Sequence, residues 1–149
     1  GYTKKAGVMM SDSNQLIQAL SNLMKLGAFK DLKIFVEGEV ALLFLVYQSE
    51  EKMMSPKDIA ANLGISKGRV TALINSLSEK ELIDIAISLE DRRSFNIMLT
   101  PLGLDYLKPK IQKAEAYFSV VSQLLGKEKT DVLVSIINEI TTVMEGVTI

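Results

Sequence analysis

The stretch from Ser55 to Leu77, "SPKDIAANLGISKGRVTALINSL", decides the fold. It reads as two short helices with their ends marked. Ser55 stands where an N-cap belongs, Pro56 fits the first turn, and Asp58 completes a capping-box pattern. Gly64 supplies a left-handed stop. Only Ile65 separates that stop from Ser66, the cap of a second helix over 66–78. Two short helices joined by so tight a glycine turn predict a helix-turn-helix.

The second helix has two unlike faces. Val70, Leu73, Ile74 and Leu77 form one apolar stripe at helical spacing. At about 100° per residue, Gly68, Thr71, Ala72, Asn75 and Glu79 fall on the opposite side, with Arg69 and Ser76 flanking. The N-terminal part of that outer face is small, polar and basic. A helix that enters a DNA major groove needs such a face, because bulky or acidic side chains would hold it off the bases.

Outward from this centre, Ile83, Ile85 and Ile87 alternate, as do Phe95, Ile97 and Leu99. Period two on both sides of a charged tip predicts a two-stranded hairpin. Thr100 and Pro101 then open a long helix with a cap and a first-turn proline, running to Leu125 over about 37 Å. Pro109 falls inside it and should break a backbone bond and kink the rod. Gly126 ends it, and a last helix from about Glu128 to Met144 carries a broad apolar stripe. Upstream, "VALLFLVY" within a helix from about Glu37 to Ser49 is apolar nearly all round, the pattern of a buried central helix. Leu16, Ile17, Leu20, Leu23 and Met24 recur at helical spacing in a first helix, with Gly27 as its expected stop. The predicted fold is therefore mostly α with a small β-hairpin wing. A winged helix-turn-helix lobe (37–100) lies between long N- and C-terminal helical regions (9–34 and 101–149). The first eight residues, "GYTKKAGV", resemble the scar of a cloning vector and are set apart from a single domain over 9–149.

Composition removes several functions. The chain has no cysteine and no histidine, so it offers no thiolate nucleophile, imidazole base or ordinary zinc site. Paired acids at a catalytic spacing are not seen, so neither an enzyme nor a metal or other cofactor is expected. No apolar run reaches the ~18 residues of a membrane span, and nothing reads as a secretory signal, which favours a cytoplasmic protein. The formal charge of −1 argues against binding nucleic acid by bulk positive charge. A local basic surface remains: between Lys52 and Thr71, four cations (Lys52, Lys57, Lys67, Arg69) stand against Asp58 alone.

At this point the sequence resembles the MarR (multiple antibiotic resistance) family of bacterial regulators. Two stretches carry the resemblance: "SPKDIAANLGISKGRVTALINSLSEKELI" and "DRRSFNIMLTPLG". The second has an Asp-x-Arg wing motif, Asp91 to Arg93, followed by Leu-Thr-x-x-Gly from Leu99 to Gly103. The resemblance implies double-stranded DNA as partner, with the recognition helix 66–78 in the major groove and the wing 88–94 in the minor groove. Arg93 would be the inserted side chain, drawn by the negative potential of a narrow A·T-rich groove. Asp91 would orient it, and Arg92 would take a phosphate or lie idle. Ser66 and Lys67 would meet phosphates at the helix N-terminus, and Lys57 would hold the DNA backbone from the preceding helix. Arg69, Thr71 and Asn75 are the candidates for base edges. Each of these residues, taken singly, also fits an ordinary exposed polar position.

In such proteins the flanking helices interlock with those of a second chain, so the resemblance implies a homodimer, more often a repressor than an activator. It also implies a small aromatic or anionic effector. Met24, Phe29, Phe35, Phe44 and Tyr47 could line its pocket, but residues at these spacings are also plain core. The absence of Cys and His removes sensing by thiol oxidation or by His-bound zinc. A different reading stays open, in which the winged lobe is a protein-interaction module with no specific DNA role.

Overall fold

In the computed structural model, the described residues are 11–87 and 93–147. They form seven α-helices and one antiparallel hairpin: α1 (Asp12–Met24), α2 (Gly27–Asp31), α3 (Gly38–Gln48), α4 (Pro56–Leu63), α5 (Lys67–Glu79), β1 (Ile83–Ile87), β2 (Phe95–Leu99), α6 (Pro101–Leu125) and α7 (Lys127–Met144). The described residues divide into two compact units, the first ending at Lys108 and the second beginning at Pro109.

The core of the first unit is built on α3. Its Val40, Ala41, Leu42, Leu43 and Val46 are all buried, which is why its sequence is apolar on every side. Ile59 of α4 and Val70, Leu73, Ile74 and Leu77 of α5 close over it. The two helix starts are capped as their sequence requires. Ser55 Oγ accepts the Asp58 N–H at 3.2 Å, and Ser66 Oγ accepts the Arg69 N–H at 3.1 Å. Between them Gly64 sits at φ 64°, in the left-handed region where a side chain would be strained.

The wing pairs Ile83 with Leu99, Ile85 with Ile97 and Ile87 with Phe95. It is tied back to the lobe by Met54, whose N–H and C=O exchange bonds of 3.0 and 2.7 Å with Ile97. Burial fades along β1, from Ile83 at 4% exposure to Ile85 at 50% and Ile87 at 67%. Period two therefore locates one face of the strand, and only its base is covered.

Thr100 joins wing to helix, donating its hydroxyl to the Glu81 carbonyl (2.7 Å) while accepting the Gly103 N–H (2.9 Å). α6 follows as one 25-residue helix. Pro109 does not interrupt it, although the proline leaves the Asp105 carbonyl without its usual donor. Gly126, at φ 82°, separates α6 from α7. Two features depart from the sequence reading. Gly27 does not stop α1, which ends at Met24 once Leu26 turns extended (φ −66°, ψ 137°); Gly27 instead opens α2. The short α2 and the 3-10 turn at Leu32–Phe35 were not foreseen, since "GAFKDLKIF" has no helical stripe to announce them.

Candidate nucleic-acid interface

The outer face of α5 is assembled by burial of the opposite one. With Val70, Leu73, Ile74 and Leu77 committed to the core, Lys67, Gly68, Arg69, Thr71 and Asn75 are all exposed, and so is the capping Ser66. Lys57 is exposed on α4, which packs against α5. Ser66 caps only one of the free donors of the first turn. The N–H groups of Lys67 and Gly68 have no intrahelical carbonyl, and together with the helix dipole they favour an anion there. The hydroxyl of Thr71 donates to the Lys67 carbonyl at 3.0 Å, so the methyl is the part of this side chain left for an outside contact.

Lys52, counted above in the basic stretch, serves the fold instead. At φ 59° it turns its ammonium onto the Tyr47 carbonyl (2.6 Å) and over the Tyr47 ring, 4.8 Å from the centroid. Phe35 and Phe44, two candidates for an effector pocket, stack edge to face at 4.8 Å. Of the others, Met24 is exposed, while Phe29 and Tyr47 are half-buried. In the wing, Arg93 is exposed. Asp91 and Arg92 lie outside the described residues, as do positions 88–90 of the wing tip and the suspected scar at 1–8.

One residue was missed altogether. Glu39, in the first turn of α3, receives the Ser76 hydroxyl on Oε1 and the Lys80 ammonium on Oε2, the latter at 2.7 Å. These hydrogen bonds, from Lys80 first and Ser76 second, hold the Glu39 carboxyl below its usual range, and the charges of Lys80 and Arg69 act the same way. The Lys80 ammonium is raised in return, chiefly by its bond to Glu39. No local pattern marks contacts that span 37 and 41 residues of chain. Among the described residues no group of acids is placed to hold a metal ion, and no helix is long and apolar enough to cross a membrane.

Residues 38–94 match the sequence profile of the MarR family. The chain is 23% identical over 104 residues to the HTH-type transcriptional repressor YetL of Bacillus subtilis, a match that takes in 70% of this chain and 62% of YetL. The chain thus spans less than two thirds of that relative. Among solved structures it is similar to AbsC, a MarR family transcriptional regulator from Streptomyces coelicolor, with a TM-score of 0.68 at 22% identity over 94% of this chain and 99% of AbsC. It is also similar to Staphylococcus aureus MepR in its DNA complex, with a TM-score of 0.63 at 20% identity over 91% and 99% of the two chains. YetL is thus a repressor and AbsC a transcriptional regulator, and what this chain shares with the solved structures is the fold.

Proposed function

From the match of residues 38–94 to the MarR family profile, we propose a homodimeric, sequence-specific DNA-binding regulator, acting as a repressor in the bacterial cytoplasm. The observation that carries this reading is the outer face of α5. Ser66, Lys67, Arg69, Thr71 and Asn75 are exposed together on a helix whose other side is locked into the core. In the reading, Ser66 and Lys67 hold phosphates at the helix N-terminus, with Lys57 adding a backbone contact from α4. Arg69 and Asn75 address guanine and adenine edges, and the Thr71 methyl meets thymine. The wing, 88–94, enters the minor groove with Arg93 as the inserted side chain, Asp91 orienting it and Arg92 on a phosphate.

The flanking regions, 9–34 and 101–149, form the dimer. Leu16, Ile17, Leu20 and Met24 of α1 are exposed in this single chain, as are Leu133, Ile136, Ile137 and Ile140 of α7. Soluble monomers rarely leave apolar patches of such extent in water. Leu125, Val132, Leu133 and Ile136 also line an apolar groove of about 520 Å³ in the second unit, a seat for a partner's helix. A two-fold dimer would set two recognition helices about 34–36 Å apart on a pseudo-palindromic operator. A small aromatic or anionic effector that favours a different spacing of the lobes would weaken DNA binding.

The test is a gel-shift titration of the whole chain against genomic fragments, including the region upstream of its own gene, at several salt concentrations. Specific binding at the nanomolar level with a steep salt slope is expected. Binding no better than to a random duplex would favour the protein-interaction reading instead.

A further inference from the structure

Reading bases asks more of a helix than exposure. Its side-chain tips must be held within about 0.5 Å and 10–20° of the productive geometry. The apolar stripe of α5 fixes which face is buried, but the hydrophobic attraction is itself non-directional. A directional restraint is present at the other end of the helix. Glu39 binds α5 twice with one carboxylate, taking the Ser76 hydroxyl on one oxygen and the Lys80 ammonium on the other.

Each group already sits at a helix end that suits its charge. Glu39 lies in the first turn of α3, where the dipole favours an anion, and Lys80 caps the C-terminus of α5, where it favours a cation. The Glu39 side chain is 23% exposed and that of Lys80 55%, so the Ser76 bond is the better shielded of the two. The pairing also bears on the reading face. Seven residues separate Arg69 from Ser76, about 20° short of two full turns, so the two lie on the same side of α5, roughly 10 Å apart along the axis. Asn75 is about 100° round from Ser76. A roll of about 15° that released Ser76 would carry a side-chain tip roughly 6 Å from the axis through about 1.5 Å, three times the tolerance above.

We propose that Glu39 is a positioning residue for base readout: through Ser76 and Lys80 it sets the roll of the recognition helix, and so the operator preference, without itself touching DNA. The inference rests on the DNA-reading function proposed above and names what tunes it. It also distinguishes two consequences of losing the carboxylate. As a field effect, removal of a negative charge near DNA tightens binding to every duplex. As loss of a positioning contact, it lowers only the advantage of the preferred sequence.

The experiment uses the whole chain and a randomised duplex library, from which the wild type selects its preferred sequence. Affinity is then measured for that duplex and for a random one at the same salt. Glu39→Gln and Ser76→Ala are each expected to lower the ratio of specific to random affinity about tenfold, the size of one lost bidentate base contact. The double variant should lose little more than Glu39→Gln alone, because the Ser76 hydroxyl acts only through its bond to Glu39. Glu39→Asp keeps the charge but withdraws the carboxylate by one methylene, and it should lower the ratio too. A ratio unchanged in a folded Glu39→Gln or Ser76→Ala variant overturns the proposal, as does a parallel fall on both duplexes, which a merely structural role would give. A wild type without any preferred sequence overturns the DNA-reading function itself, and the two failures are told apart by that control.

Discussion

The Leu82 carbonyl oxygen accepts the Thr100 N–H at 3.1 Å and fills the space that a side chain on Gly103 would need. A Cβ there would lie well inside 3.0 Å of backbone oxygen, a separation real side chains do not adopt. The glycine of the Leu-Thr-x-x-Gly motif is therefore a packing residue, letting the first turn of α6 close on the chain leaving α5. Gly103→Ala must push backbone apart and is expected to cost about 1–3 kcal/mol. Urea unfolding should show a lower midpoint with an unchanged slope; an unaltered midpoint would mean the turn yields freely.

Gly68 presents the reverse case. A Cβ at that position meets only the Ser66 Oγ, at 4.0 Å, so the free protein has room for it. Alanine is the better helix former, and Gly68→Ala should stabilise the chain by about 0.5–1 kcal/mol. The added methyl would stand on the face proposed to approach DNA. Thermal unfolding should therefore move up while operator affinity moves down. If both rise, the first turn of α5 does not come close to the duplex.

How much of this was legible in the sequence follows from the range of each interaction. The caps at Ser55 and Ser66 and the turn at Gly64 are local, and residue type at fixed offsets announced them. Gly27 was misjudged because a glycine near a helix end permits a stop without requiring one; the extended Leu26 ended α1. Ile83, Ile85 and Ile87 recur at every second position as in a covered strand, yet that spacing cannot say whether anything lies over the face. Lys52 was counted with the basic surface by charge, whereas its left-handed backbone directs it to Tyr47. Glu39, Ser76 and Lys80 meet only through the packing of α3 on α5, and no spacing rule reaches that far.

The Glu39–Lys80 contact should give stability a defined dependence on pH. The Glu39 carboxyl is lowered from 4.5 in the folded state, so its contribution is present above that value and is lost as pH falls through the lowered one. The Lys80 ammonium is raised from 10.5, so its contribution is present below that value and is lost as pH rises through the raised one. The difference in thermal midpoint between wild type and Glu39→Gln should be flat between these limits and shrink outside them. A difference that varies across neutral pH would assign the stabilisation to another group.

Base and groove contacts should separate by the sequences they affect. Asn75→Ala is expected to relax preference at one position of each half-site, at about 1–3 kcal/mol, while leaving random-duplex binding unchanged. Arg93→Ala should weaken binding most where the flanks are A·T-rich, since groove narrowness supplies its attraction. Titrations on duplexes with A·T and G·C flanks measure both. Equal losses on the two kinds of flank would make Arg93 a phosphate contact.

The pairing proposed above can be tested in the second unit. Leu133 and Ile136 are exposed in the single chain and line the same apolar groove, together with Glu128 and Lys129. A carboxylate buried among apolar side chains at an interface costs several kcal/mol unless paired. Leu133→Glu should cost the isolated chain little, because the position faces water there, but it should shift the assembly from dimer to monomer. Sedimentation reads that shift directly. A monomer engages one half-site only, so operator affinity should fall by orders of magnitude while random-duplex binding per chain changes little. A variant that stays dimeric would put the interface on other helices, and a monomeric variant with full operator affinity would remove the dimer from the mechanism.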